Sequence, residues 1–457
     1  MLDLIVKNAR LADPAAPRVA PGALGILNGR IEKIFAQGEP LPEAAQVIDA
    51  QGNMLAPGFI DVHAHLDGTA ECGRRALLQG ITTSFGGNCG LSPENMGEFF
   101  EAQEKGYYVN QAEFVGHSFT LRRAVGLNDP YTPATDEQVC EMCRLAEEAL
   151  DCGAWGVSFG LDYAPGCCMR EVEALAKLSA RYDTICPIHT RMFTYSDMYS
   201  LTEAIQIGAR TGAKVQLSHL VYQYPKKQLL DEAFMLIDHA REQGHCVGVD
   251  SGMYTSFAAP AGTATFSPEI IDISGWSLSN MRVSTGLHRG EVLNEALYRY
   301  IRKEEPDTEL ICFDGEPGAV EHALMHDYVT LSTDAGAYRP GEGHPQAAAS
   351  FPDFFRRMAR EQKLLSWNEA VRRVTLLPAE TMGLKRKGRL TPGADADLVI
   401  FDPETIAGRA DFVGLGQPDA VPDGICCVLI GGRVAAQDGC VVDGTLGRTI
   451  RREGRMN

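Results

Sequence analysis

Between residues 57 and 382, short apolar runs alternate with longer stretches of helical period. The pattern predicts strands at Ile81–Phe85, Gly156–Phe159, Ile185–Ile188, Lys214–Leu217 and Cys246–Val249. Helices are predicted at Asp136–Cys152, Met169–Tyr182, Ser196–Thr211 and Lys227–Gln243. Repeated strand–helix units imply a parallel sheet covered by helices. Residues 1–56 read differently, with β-like runs at Leu2–Val6, Gly22–Leu27, Arg30–Phe35 and Gln46–Ile48 and a hairpin signal at Asn28-Gly29. From 383 to 457 that β-rich rhythm returns, at Leu398–Phe401, Cys427–Ile430 and Arg433-Val434. The expected fold is α/β: a (β/α)8 TIM-like barrel over 57–382, clasped by a small β-sandwich domain built from both termini. Residues 255–320 are poorly patterned and read as a lid or insertion over the barrel mouth, where specificity is set.

Composition narrows the function. The chain has 457 residues, 45% hydrophobic and 22% charged, which suits a globular protein with a sizeable core. Its formal charge of −18 disfavours nucleic acid and anionic membranes as partners. The basic runs Lys385-Arg386-Lys387 and Arg448 to Arg455 read as solvated surface. No apolar window reaches the length of a membrane span, and the start has no export signal. The thirteen cysteines therefore read as reduced thiols of a cytoplasmic protein. Cys140-x-x-Cys143 falls in a helical pattern without a second pair, so it reads as structural.

The chemistry is concentrated at predicted strand ends. In Pro57-Gly58-Phe59-Ile60-Asp61-Val62-His63-Ala64-His65 an apolar run feeds a His-x-His pair. Side chains two apart on a strand share a face, so both imidazoles aim at one point. Cys89 follows the next strand in a glycine-rich turn. His189, His219 and Asp334 end later apolar runs. Singly, each is readily a core histidine or a helix cap; together they describe four imidazoles, one thiolate and one carboxylate. That donor set prefers Zn2+ over Mg2+ or Ca2+. His117 reads as structural, and His344 lies in a loop able to reach the site.

These motifs resemble the amidohydrolase superfamily, and within it the D-aminoacylase (N-acyl-D-amino-acid deacylase) branch. The resemblance rests on the His-x-His segment, Gly87-Asn88-Cys89-Gly90, Gly116-His117-Ser118, Gly160-Leu161-Asp162-Tyr163-Ala164-Pro165-Gly166, His189-Thr190-Arg191, Ser218-His219-Leu220, Ser332-Thr333-Asp334, His344-Pro345 and Gly388 to Asp402. It implies a zinc-dependent hydrolase of carbon–nitrogen bonds other than peptide bonds, acting on a small linear amide such as an N-acyl-D-amino acid. Cys89 would take the metal-bridging place that a carbamylated Lys holds in many superfamily members. Cys89, His189 and His219 would hold one tightly bound Zn2+, and His63 and His65 a second, weaker site. Metal-bound hydroxide would attack the carbonyl, with Asp334, also a metal ligand, as general base and then general acid. Arg191, Tyr163, Tyr254 and His344 are the expected substrate contacts. A homo-oligomer fits the same reading.

The pattern departs from the branch in its carboxylate-binding cations. Positions that usually carry basic residues hold Val221 and Gln346, and an acidic pair after His-x-Arg is replaced by Phe193-Thr194. Each lost cation removes charge-assisted hydrogen bonds of roughly 1.5–3 kcal/mol. The expectation is an amide hydrolase with altered carboxylate recognition, with Arg191, Arg282, Arg289 or Arg339 as replacement cations or a substrate lacking that carboxylate. Two alternatives stay open: a cyclic-amide hydrolase of the hydantoinase or dihydroorotase kind, and an inactive amidohydrolase-fold interaction protein.

Overall fold

The computed structural model describes residues 1–191 and 197–452. Strands from both ends of the chain join one nine-stranded sheet. It runs Cys440–Val441, Arg433–Gln437, Ile425–Ile430, Leu398–Phe401, Met54–Pro57, Leu2–Leu11, Ala20–Leu27 and Arg30–Ala36, with Ala44–Asp49 also paired to Leu2–Leu11. Asn28 and Gly29 form the expected turn with φ of 52° and 73°. Two left-handed residues match the twist of the flanking strands. Within Leu2–Leu11, Leu4 and Val6 are buried in one cluster with Leu24 and Leu398, while Ile5 joins Phe35 in another. The two-residue period of a strand sends them to opposite faces.

The middle of the chain is α/β. Phe59–Asp61, Ile81–Gly86 and Asn110–Glu113 form one parallel segment. Val115–Gly116, Val157–Gly160, Ile185–His189, Lys214–Leu217, Val247–Ser251 and Val329–Leu331 form a second. Among the described residues the ladders do not run unbroken around both segments. The segments meet at Phe114, whose N–H donates to the Gly86 carbonyl at 3.0 Å, and at a lone parallel bridge between Ala64 and Ala335.

The helical period is realised in Asp136–Asp151, Met169–Arg181, Met198–Thr211 and Lys227–Glu242. The first starts at a capping box in which Thr135 and Gln138 bond each other's backbone N–H. Residue 196, the expected start of the third, lies outside the described residues. Cys140 and Cys143 lie on Asp136–Asp151, and all thirteen cysteines are unpaired.

Residues 255–320 hold more regular structure than their pattern suggested. Ser256–Pro260, Glu309–Phe313 and Met281–Val283 form an antiparallel sheet in that order, alongside helices Pro268–Ser274 and Glu295–Glu304. The first of these strands is rich in Ala and ends in Pro, a composition with little strand signal. Phe59 stacks on Phe351 at 5.8 Å and packs on Phe355 and Phe401 at 5.1 and 6.2 Å. This aromatic cluster fixes the strand that leads to His63.

Candidate metal centre

His63 and His65 lie just past Phe59–Asp61, in the segment held by the Ala64–Ala335 bridge. Their Nε2 atoms stand 3.3 and 3.4 Å from Asp334 Oδ1. Backbone bonds set that spacing: Asp334 N–H donates to the His63 carbonyl and His65 N–H to the Ala335 carbonyl, at 2.9 and 2.7 Å.

Cys89 follows Ile81–Gly86 in a short turn over Asn88–Gly90. A Cβ at Gly87 would sit 2.1 Å from the Phe114 carbonyl oxygen, so only glycine lets the turn close there. The Cys89 Sγ lies 3.3 Å from His63 Nε2, 3.6 Å from His189 Nδ1 and 3.6 Å from His219 Nε2. Cys89, His219 and Asp334 all adopt left-handed backbone, with φ of 51°, 34° and 49°. Such conformations cost a non-glycine residue about 1–3 kcal/mol and concentrate at functional sites.

The donors form two groups that share one atom. His63, His65, Cys89 and Asp334 make one, and Cys89, His189 and His219 the other, with ligand atoms within 4.8 Å of one another in each. Zinc bonded to thiolate at about 2.3 Å and imidazole at about 2.0 Å sets a tetrahedral edge of roughly 3.5 Å. The Cys89 distances match that edge, and the mix of thiolate, imidazole and carboxylate suits a borderline cation. The residues present therefore fit zinc.

Electrostatics agree. Burial opposes charge on His63, yet the charges of Cys89 and Asp250 outweigh it and hold its pKa well above the ordinary value. Burial likewise opposes charge on His65, but Asp334 and Cys89 raise it to about 10. Burial would raise the Cys89 thiol, but His63, His189 and His219 hold it well below the usual range. Asp334 is also held low despite burial, by His63 and His65. The anionic Cys89 and Asp334 are charges that a bound cation would face, and the imidazoles would release their ring protons to it.

A surrounding layer of acids escaped the sequence reading. Asp250 accepts from His219 N–H at 2.9 Å and from Ser332 Oγ–H at 2.8 Å, and stands 3.4 Å from His63 Nδ1. Asp61 accepts from Thr333 Oγ–H at 2.5 Å and from His63 N–H at 3.2 Å; burial raises its pKa to about 7. Asp162 Oδ2 lies 3.9 Å from His189 Nε2 and bonds Thr265 of the 255–320 segment. Burial also raises Glu309, another residue of that segment, to about 7, with its Oε2 buried and unbonded. Asp250 is the next-to-last residue of Val247–Ser251 and directly follows the apolar run expected at Cys246–Val249, so the strand-end rule extended by one residue finds it.

The expected substrate contacts fall around this cluster in different ways. Tyr163 lays its ring 4.7 Å from that of His189. Tyr254 packs on His344 at 5.1 Å. His344 is fully buried, and burial lowers its pKa to about 3; its Nδ1 accepts from Gln346 N–H, so Nε2 donates to Ser256 Oγ at 2.9 Å. The Arg191 guanidinium is bonded to Glu203 and to the carbonyls of Pro165 and Cys167. Arg282 donates to the Gly290 carbonyl, while Arg289 and Arg339 are exposed. Val221 is buried in the helix Leu220–Gln223. Gln346 uses its amide N–H on the Asp334 carbonyl and its oxygen on Tyr222 O–H, at 2.8 and 2.7 Å. Phe193 and Thr194 lie outside the described residues.

Comparison with known proteins agrees with this chemistry. Residues 54–445 match the model of the amidohydrolase family. The N-acyl-D-aspartate deacylase of Alcaligenes xylosoxydans xylosoxydans is 30% identical over 94% of this chain and 91% of its own. The D-aminoacylase of the same organism is 29% identical over 98% of both. A solved N-acyl-D-glutamate deacylase from Bordetella bronchiseptica, complexed with zinc and a phosphonate mimic of the tetrahedral intermediate, superposes with a TM-score of 0.86 at 28% identity, covering 98% of this chain and 99% of that one. The chain belongs to the amidohydrolase family, on the branch that holds the D-aminoacylases.

Proposed function

We propose that the protein is a zinc-dependent hydrolase of a linear amide, deacylating an N-acyl-D-amino acid or a related amide whose carboxylate is recognised differently from the branch pattern. The observation that carries this is Cys89, whose thiolate belongs to both ligand groups. Zinc held by Cys89, His189 and His219 supplies Lewis acidity toward an amide carbonyl and toward water. His63 and His65 complete a second, weaker site. Asp334, held ionised beside His63 and His65, takes the proton of the attacking water at its carboxylate. The same carboxyl then gives that proton to the leaving nitrogen. Tyr163, Tyr254 and His344 line the substrate side, and Arg191 stiffens the wall behind His189 through Glu203.

The altered recognition is supported by the bonds of Gln346 and the burial of Val221, which leave neither side chain offering a charge to a carboxylate. The joined parallel segments support a (β/α)8 barrel over 57–382, with residues 1–56 and 383–457 as the β-domain. Unpaired cysteines throughout favour a cytoplasmic location.

Amine release from N-acetyl-D-amino acids and from their C-terminal carboxamides, by the zinc-loaded protein, tests both parts. Zinc-dependent release is expected, with kcat/KM for a carboxamide at least equal to that for its acid. No release from either set would overturn the deacylase reading. Much faster turnover of N-acetyl-D-Glu or N-acetyl-D-Met than of the matching carboxamides would overturn the shift in recognition.

A further inference from the structure

Lys385-Arg386-Lys387 and the Arg451-Arg452 part of the second basic run, far apart in sequence, meet in one cleft. A cavity of about 600 Å3 opens between the starts of Ile185–His189 and Lys214–Leu217, the 380–387 segment and residues 450–452. Seven basic side chains line it against three acidic ones, in a protein of net charge −18. Uniform surface decoration of so acidic a chain would not place this excess in a single concavity.

Two of the three acids there are already shared, and the third, Glu380, is exposed with no ion pair among the described residues. Asp183 faces both Lys214 at 2.6 Å and Arg452 at 3.7 Å. Asp395 serves Arg30, Arg386 and Lys387, at 3.4, 3.3 and 3.3 Å. Lys387 is anchored further by Asp397, so it belongs to the wall rather than to a ligand. Among the described residues Arg181 pairs with Glu147 at 3.5 Å, and Arg451 pairs with Glu104 at 3.8 Å and lies over the Phe100 ring at 5.2 Å. Lys385 is exposed and has no ion pair among the described residues. Exposed pairs of this kind contribute little, so an incoming anion displaces them at small cost. Trp155 donates to the Ile450 carbonyl at 2.7 Å and fixes the chain end that carries Arg451 and Arg452 as one wall. The volume falls in the range of small-molecule sites.

We propose that this cleft is a second binding site, separate from the metal centre, for a small molecule carrying several negative charges, such as a polyphosphate or polysulfonate. It lies at the opposite ends of the strands that lead to His189 and His219, roughly 13 Å away along the strand. Binding there is thus independent of the hydrolytic reading.

The test is fluorescence anisotropy of the trisulfonate dye pyranine, which does not extract zinc, titrated with the full-length zinc-loaded protein. Saturable binding of one dye per chain is expected. Lys385→Glu/Arg451→Glu should weaken it at least tenfold, and raising salt from 0.02 to 0.2 M should weaken it severalfold, since screening steepens over that range. The exposed pair Arg299→Glu/Lys303→Glu, on helix Glu295–Glu304, should leave it unchanged. Circular dichroism and zinc content check folding; if the double variant unfolds, Lys385→Glu alone carries the test. No saturable binding at millimolar concentration would overturn the proposal, as would equal weakening by the control pair or unchanged binding in the folded Lys385→Glu variant.

Discussion

The two ends of the parallel strands handle charge in opposite ways. At the ends that lead into His63, Cys89, His189, His219 and Asp334, charge is buried, bonded on several sides and held by left-handed backbone at three positions. At the starts of Ile185–His189 and Lys214–Leu217, charge is exposed and shared loosely among long side chains. On the proposed readings, the same strands carry a rigid, buried metal centre at one end and an adaptable basic wall at the other. Burial makes the first set interdependent, and solvent leaves the second nearly additive.

The comparison breaks most sharply at Cys89. Cys89→Ala removes the atom common to both donor groups, and kcat/KM should fall by at least about 10³-fold with loss of tightly held zinc. Elemental analysis after dialysis, beside the amide-release assay, reads both effects.

A buried ion cluster outside the metal centre should respond next. Glu171 bonds His117 at 2.7 Å and Arg122 at 2.6 Å, all three buried. Glu171→Ala leaves Arg122 charged and buried, costing about 3–5 kcal/mol in denaturant unfolding. Burial pushes the Glu171 carboxyl up, but His117 and Arg122 outweigh it and hold its pKa below the ordinary 4.5. Burial also keeps the His117 pKa below 6.5. Both groups bind protons less readily when folded, so each contributes stability that is present above its unfolded pKa. That stability is lost as pH falls, from about 6.5 for His117 and from about 4.5 for Glu171. Glu171→Gln should flatten the lower step, and a wild-type Tm that stays level from pH 7 to 4 would contradict the assignment.

Smaller effects separate the layers of the site. Asp250→Asn keeps the volume but removes the charge beside His63 and His219, so zinc affinity should drop by about 10–100-fold. A chelator-competition titration measures it without recourse to activity. At the other strand ends, Lys214→Ala should change stability by less than about 1 kcal/mol, because its pair with Asp183 is exposed.

How much of this was legible follows from the same contrast. The candidate ligands that the structure brings together could be picked out because each stands at the end of an apolar run, where local pattern and chemistry coincide, as in His63-Ala64-His65 and Gly87-Asn88-Cys89-Gly90. Helix limits followed where caps are local, as at Thr135 with Gln138. Asp61, Asp162 and Glu309 could not be read, since their roles come from contacts with Thr333, Thr265 and the Asp334 charge, which local pattern does not encode. The basic runs around Lys385 and Arg451 looked like solvated surface because nothing local brings them to Arg181 and Lys214. Ser256–Pro260 was obscure because its strand is fixed by pairing with Glu309–Phe313 rather than by its own composition.

Zinc-edge X-ray absorption on the loaded protein tests most directly whether the Cys89 thiolate binds the ion. A sulfur neighbour at about 2.3 Å, with nitrogen and oxygen neighbours at about 2.0–2.1 Å, is the expected first shell. That sulfur should vanish in Cys89→Ala. A shell of nitrogen and oxygen alone in the unmodified protein would contradict the account.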